Sequence, residues 1–81
     1  MSADSPSLAS LPAGARATVT QIRVPAEERS RLLEMGLLVG TTVEVVRYAP
    51  MGDPIEIKVR GYHLTLRKHE ADQILVSTVD Q

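Results

Sequence analysis

The sequence predicts a mainly β chain: a small, strongly bent barrel of about five strands, with one helix inserted after the first strand and a short helical turn before the last. Three observations carry this. Short segments alternate apolar and polar residues, and Ile55-Glu56-Ile57-Lys58-Val59-Arg60 does so without a break. Gly and Pro fall mainly between those segments. The chain has 81 residues, enough for one domain with a compact core and little surplus stability.

Residues 1–7 are Met, Ser, Ala, Asp and Pro, too polar to pack, and read as a disordered tail. The domain is placed at residues 8–79, with 80–81 as its C-terminal end. Leu8 and Leu11 stand one helical turn apart before Pro12-Ala13-Gly14 breaks the chain, so they read as a short apolar lid on the core. From Ala15 the apolar positions Ala15, Ala17 and Val19 alternate with Arg16, Thr18 and Thr20. The phase then slips, because Gln21 is polar and Ile22 and Val24 resume the apolar series. A one-residue slip in a strand indicates a bulge, which also bends it.

Pro25 to Met35 predicts the helix. Pro25 suits the first helical position, Glu27 and Glu28 suit the positive N-terminal end, and Gly36 suits a left-handed stop. With Gly36 as that stop, Leu37 follows it and should meet Leu32 across the helix end. Only a narrow stripe around Leu32, Leu33 and Met35 is apolar enough to pack inward.

Gly40 then opens a strand in which Val43 and Val45 share a face, with Val46 and Tyr48 on the other face or beyond a second bulge. Ala49-Pro50-Met51-Gly52-Asp53-Pro54 is a loop by composition. Gly61-Tyr62 predicts a two-residue hairpin turn after the Ile55–Arg60 strand. Leu64 and Leu66 then continue the inner face, leaving His63, Thr65 and Arg67 outward. Lys68 to Asp72 fits one helical turn, and Ile74 with Val76 a last strand.

Composition removes several function classes. There is no basic, then apolar, N-terminal leader, and no apolar run approaches the ~20 residues needed to cross a bilayer, so a soluble chain without membrane insertion is expected. Net charge is −1 and aromatics make up 2% of residues, which disfavours both the basic footprint and the stacking platform of a nucleic-acid binder. With no cysteine, disulfides and thiolate metal sites are excluded.

Catalytic constellations are missing as well. Most serines lie in or beside the tail, and Ser30 and Ser77 have no nucleophile-elbow context. The glycines mark turns and form no phosphate-binding loop. The chain is therefore read as a non-enzyme without a cofactor. The two imidazoles, His63 and His69, are weak metal candidates, with Glu70 and Asp72 near the second. Two scattered histidines do not define a closed site, and the plainer reading is that both are solvated. Binding of Pro-rich peptides needs an aromatic-lined groove, for which only Tyr48 and Tyr62 are at hand.

The ordered segments Leu8…Leu11…Gly14, Arg31-Leu32-Leu33-Glu34-Met35-Gly36-Leu37…Gly40, Pro50-Met51-Gly52-Asp53-Pro54-Ile55 and Leu64…Leu66-Arg67-Lys68-His69-Glu70-Ala71…Ile74…Val76 resemble the FeoA family from about Leu8 to Val76. The resemblance implies an SH3-like barrel and a cytoplasmic accessory of bacterial ferrous-iron uptake, acting with the membrane transporter FeoB, which carries its own GTPase domain. The chain departs from the family at His69, where the last motif usually has a small polar residue. The same fold occurs as the C-terminal domain of iron- and manganese-responsive repressors. No winged helix precedes the barrel here, so DNA binding of that type is not expected.

A protein–protein surface is the remaining candidate site. Leu33, Met35, Leu37 and Leu38 are more apolar residues than a narrow inward stripe uses, and Pro50 and Met51 put two more in a loop. On the resemblance, their partner is the cytosolic part of FeoB; the same patch would serve weak self-association. The plainer reading is that Leu32, Met35 and Leu37 complete the barrel. Arg67, Lys68 and Glu70 read as a solvated face, or as a charged rim that steers the partner. The alternative function is a metal-sensing module that takes a divalent transition metal through His63, His69 and nearby carboxylates.

Overall fold

The computed structural model of the chain describes residues 6–78. Five strands, β1 (Arg16–Ile22), β2 (Thr42–Tyr48), β3 (Ile55–Val59), β4 (Tyr62–Leu66) and β5 (Ile74–Thr78), form one sheet in the order β4-β3-β2-β1-β5. All of its pairs are antiparallel. Helix α1 (Ala26–Glu34) follows β1, and the single-turn helix α2 (Lys68–Asp72) precedes β5. The sheet bends into a small SH3-like barrel because two strands each carry an extra residue. In β1 the pairing passes from Val19↔Val76 to Gln21↔Leu75, which leaves Thr20 unpaired. In β2 it passes from Val45↔Ile57 to Arg47↔Glu56, which leaves Val46 unpaired. Bulges raise the local twist and let a short sheet curl round its own core.

The inner face is the alternating set. Ala17 and Val19, Val43 and Val45, Ile55, Ile57 and Val59, and Leu64 and Leu66 are all buried. Leu8 and Leu11 close one side from a 3-10 turn at Leu8–Ser10, which packs on α2 and β5. Tyr48 anchors that lid, its hydroxyl donating to the carbonyl oxygens of Leu11 and Ala9.

Four readings change. The tail is shorter: Pro6 accepts from the Val76 N–H at 2.9 Å and Ser7 bridges to Leu75, so both are tied to β5. The rest of the expected tail, residues 1–5, and the expected domain end at residues 79–81 lie outside the described residues. The β3–β4 turn is centred on Arg60-Gly61 rather than Gly61-Tyr62: φ is 53° and 92° at those two residues, and Val59 pairs with Tyr62. Two successive positive φ values are what a tight hairpin needs to match strand twist, and Gly61 takes the second of them without a Cβ penalty. Pro25 has extended ψ of 156° and caps α1 from outside, its carbonyl accepting from Arg29 N–H at 2.8 Å. Finally, Leu33 is not part of the inward stripe. It is 44% exposed, whereas Leu32 is fully buried, because neighbouring helix residues point about 100° apart.

The end of α1 follows the expected geometry. Gly36 has φ of 91°, its N–H donates to Leu33 O at 3.0 Å, and the Leu37 N–H donates to Leu32 O at 2.9 Å. These are the two bonds of a Schellman ending. Leu32 and Leu37 are both fully buried in the same core.

Candidate functional site

The ending of α1 determines which apolar residues reach solvent. The chain reverses at Gly36, sends Leu37 into the core, and leaves Leu33, Leu38 and Val39 outside at 44, 40 and 62% exposure. Leu37 thus drops out of the expected partner surface: its side chain is needed to close the barrel. Met35 is partly buried against the core and presents only an edge. Tyr62, at the start of β4, lies over the Gly36 backbone and adds a half-exposed ring to the same surface. Val39 and Tyr62 were not among the residues expected from the sequence. Val39 could have been found as an apolar residue just before the Gly40 turn. Tyr62 was concealed by its placement in a turn rather than on a strand.

Pro50 and Met51 form the exposed tip of the β2–β3 loop, where the Met51 side chain is almost fully in solvent. The loop is held at its base. Ala49 N–H donates to Pro54 O at 3.0 Å, Gly52 N–H to Ala49 O at 2.7 Å, and Asp53 Oδ1 accepts from Lys68 N–H of α2 at 3.0 Å. A cleft of about 530 Å³ between this loop and the helices is lined by Arg31, Asp53, Pro54, Arg67 and Glu70, among others.

Glu70 is the main electrostatic surprise. Read as part of a solvated face, it is 3% exposed. Its Oε1 accepts from the Arg67 N–H at 3.1 Å, and its Oε2 pairs with the Arg31 guanidinium of α1. A carboxylate taken from water needs such partners. This pair fastens α1 to α2, and no sequence spacing announces it because the partners lie 39 residues apart.

The two histidines are not brought to a common site. His63 Nδ1 lies 2.7 Å from Glu56 Oε2, on the outer face of β3 and β4, where Arg47 Nε also bonds Glu56 Oε1 at 2.9 Å. These partners hold the Glu56 carboxyl below its ordinary pKa, the Arg47 hydrogen bond first and the His63 hydrogen bond second. His69, on α2, instead faces Glu28 of α1 at 3.6 Å. Among the described residues, no helix is long and apolar enough to cross a membrane.

A five-stranded bent barrel with a helix inserted after its first strand and an apolar turn behind that helix defines an SH3-like domain. The model of the FeoA domain matches residues 7–78, and the chain belongs to that family. It is 42% identical to the FeoA protein of Chlorobium tepidum, whose solution structure it matches with a TM-score of 0.88 over 91% of this chain and 70% of that one. The Stenotrophomonas maltophilia FeoA, a procaryotic SH3 domain protein solved in complex with zinc, is 29% identical with a TM-score of 0.74 over 88% of each chain. In Porphyromonas gingivalis, a protein described as an Fe(2+) transport protein A/Fe(2+) transporter FeoB fusion is 33% identical over 72 residues, 89% of this chain. The chain spans 8% of that relative's length.

Proposed function

We propose that this domain is a cytoplasmic accessory of bacterial ferrous-iron uptake, which binds the cytosolic part of FeoB and modulates it through a protein–protein surface. The observation that carries this reading is the fusion relative, in which a domain similar to this chain is joined in one polypeptide to the Fe(2+) transporter. Covalent linkage holds two partners at high effective concentration, an arrangement that suits a contact made repeatedly.

The surface proposed for the contact is the exposed edge of the α1–β2 connection, Leu33, Met35 and Leu38, extended by Val39 and Tyr62, together with the Pro50-Met51 loop tip. Apolar residues grouped on a small monomer mark interaction sites more often than chance exposure does, and Met suits an adaptable contact. The Arg31, Arg67 and Asp53 cleft beside the loop supplies a polar rim, as interfaces of this kind have.

The test is an NMR titration of isotope-labelled protein with the isolated GTPase domain of FeoB, with and without a GTP analogue. Shifts grouped on Leu33 to Val39 and on Pro50 to Asp53, with binding weakened by Leu38→Glu and Met51→Glu while the fold persists, are the expected result. Unchanged binding by both variants would overturn the surface. Absence of binding to both the isolated domain and full-length FeoB in detergent would overturn the partner.

A further inference from the structure

We propose that Glu28, His69 and Glu70 form a binding site for one divalent first-row transition-metal ion, held between α1 and α2. The site arises from where the two helices begin. Glu28 lies in the first turn of α1, and His69 and Glu70 lie in the single turn of α2. The Arg31–Glu70 pair fastens those turns together. One ligand atom from each of the three side chains lies within 4.8 Å of the other two. Ligands on a single ion at about 2.1 Å stand about 3–4 Å apart. The Glu28 Oε1 to His69 Nε2 separation, 3.6 Å, already lies in that range.

A second observation points to a ligand. The Glu28 side chain is 35% exposed, but its Oε1 is turned away from solvent toward His69 and, among the described residues, has no hydrogen-bond partner. A buried anionic oxygen without a donor is costly, and His69 Nε2 is too far to supply a hydrogen bond. A cation between them removes that cost.

Glu70 is prepared for the same task. Its side chain is 4% exposed, with one oxygen held by the Arg67 N–H and the other by Arg31. Each carboxylate oxygen has two acceptor directions, so one on each remains. Ligating carboxylates are commonly oriented by just such outer hydrogen bonds. The His69 side chain is 62% exposed and leaves a path for the ion to enter.

The donor set fixes the chemical class. One imidazole and two carboxylates without a thiolate suit Zn²⁺, Fe²⁺ or Mn²⁺. Arg31 offsets one of the two carboxylate charges, and affinity for a cation falls as the negative charge of its ligands is neutralised, so micromolar rather than nanomolar binding is expected.

The alternative is that the cluster holds no ion and Glu28 faces His69 alone, and metal titration separates the two. Zn²⁺ is titrated into the full chain, in the absence of any partner, and followed by calorimetry and by the imidazole resonances. One equivalent should bind in the micromolar range and shift His69 ahead of His63. Glu28→Gln, which keeps the side-chain shape, and His69→Ala, at an exposed position, should each weaken binding tenfold or more, the scale of losing part of a metal's coordination. His63→Ala should leave binding within about twofold. Mn²⁺ should broaden the resonances of α1 and α2 in the same protein. Wild-type affinity in His69→Ala, equal affinity at His63, or no saturable binding below millimolar Zn²⁺ would each overturn the site. Because FeoB is absent from the experiment, its failure would leave the partner proposal standing.

Discussion

The Tyr62 hydroxyl lies 2.6 Å from the point that a β-carbon on Gly36 would occupy. The first residue of β4 is thereby seated on the turn that ends α1. Two requirements fall on Gly36 together: the backbone is at φ of 91°, and the space beside it is taken. Gly36→Ala should therefore destabilise by more than the ~1–2 kcal/mol of left-handed strain alone. Gly14 has the same φ of 91° with nothing within 4 Å of its missing β-carbon, and Gly14→Ala isolates the strain. Urea denaturation of both variants gives the Tyr62 contribution as the difference. Equal losses would mean that the Tyr62 ring swings aside freely.

Leu33 and Leu37 are both leucines beside one helix end, yet their fates differ. Leu37→Ala empties a fully buried site and should cost about 2–5 kcal/mol. Leu33→Ala removes a half-exposed side chain and should stay within about 0.5 kcal/mol. Thermal unfolding of the two variants checks this directly, and a large loss at Leu33 would show that it packs.

The lid formed by Leu8 and Leu11 depends on Tyr48, whose hydroxyl donates to two of its carbonyls. Burial also raises the Tyr48 phenol above its ordinary pKa. Tyr48→Phe should cost about 1 kcal/mol, and hydrogen exchange at Ser10 and Leu11 should quicken more than in β3. Uniform acceleration across the sheet would contradict a local role.

Glu56 gives a pH dependence with a defined sign. Its folded pKa is depressed by Arg47 and then by His63, so its contribution is fully present above the unfolded carboxyl value, about 4.3. It is lost as pH falls through the folded value. The stability difference between the wild type and Glu56→Gln should therefore be largest near neutral pH, vanish in acid, and shrink with added salt. Denaturation midpoints across pH measure it. A difference that grows on acidification would reverse the assignment.

The sequence alone determined the strands, the helix and its stop, and the β1 bulge, and it left the β2 bulge as one of two readings that the Val45↔Ile57 to Arg47↔Glu56 pairing decides. Each of these is local: alternation over five to seven residues reports which side faces the core, and a one-residue slip reports the bulge. Gly36 and Leu37 announced their bond pattern because a Schellman ending spans only six residues. The hairpin turn was misplaced by one position, since Arg60 sits at φ of 53°, a conformation that nothing about arginine advertises. β4 still kept its correct face, because Leu64 and Leu66 set the phase themselves.

What only the tertiary structure decided lies between segments distant in sequence. The burial of Glu70 depends on Arg31, the isolated Glu28 oxygen on the position of α2, and the half-exposed seat of Tyr62 on how β4 meets the turn at Gly36. A charged residue in sequence is read as solvated, and an apolar one as buried, until the element packed against it is known. Local pattern fixes orientation along an element. The juxtaposition of the starts of α1 and α2, on which the Glu28–His69–Glu70 cluster depends, follows from core packing across the whole barrel.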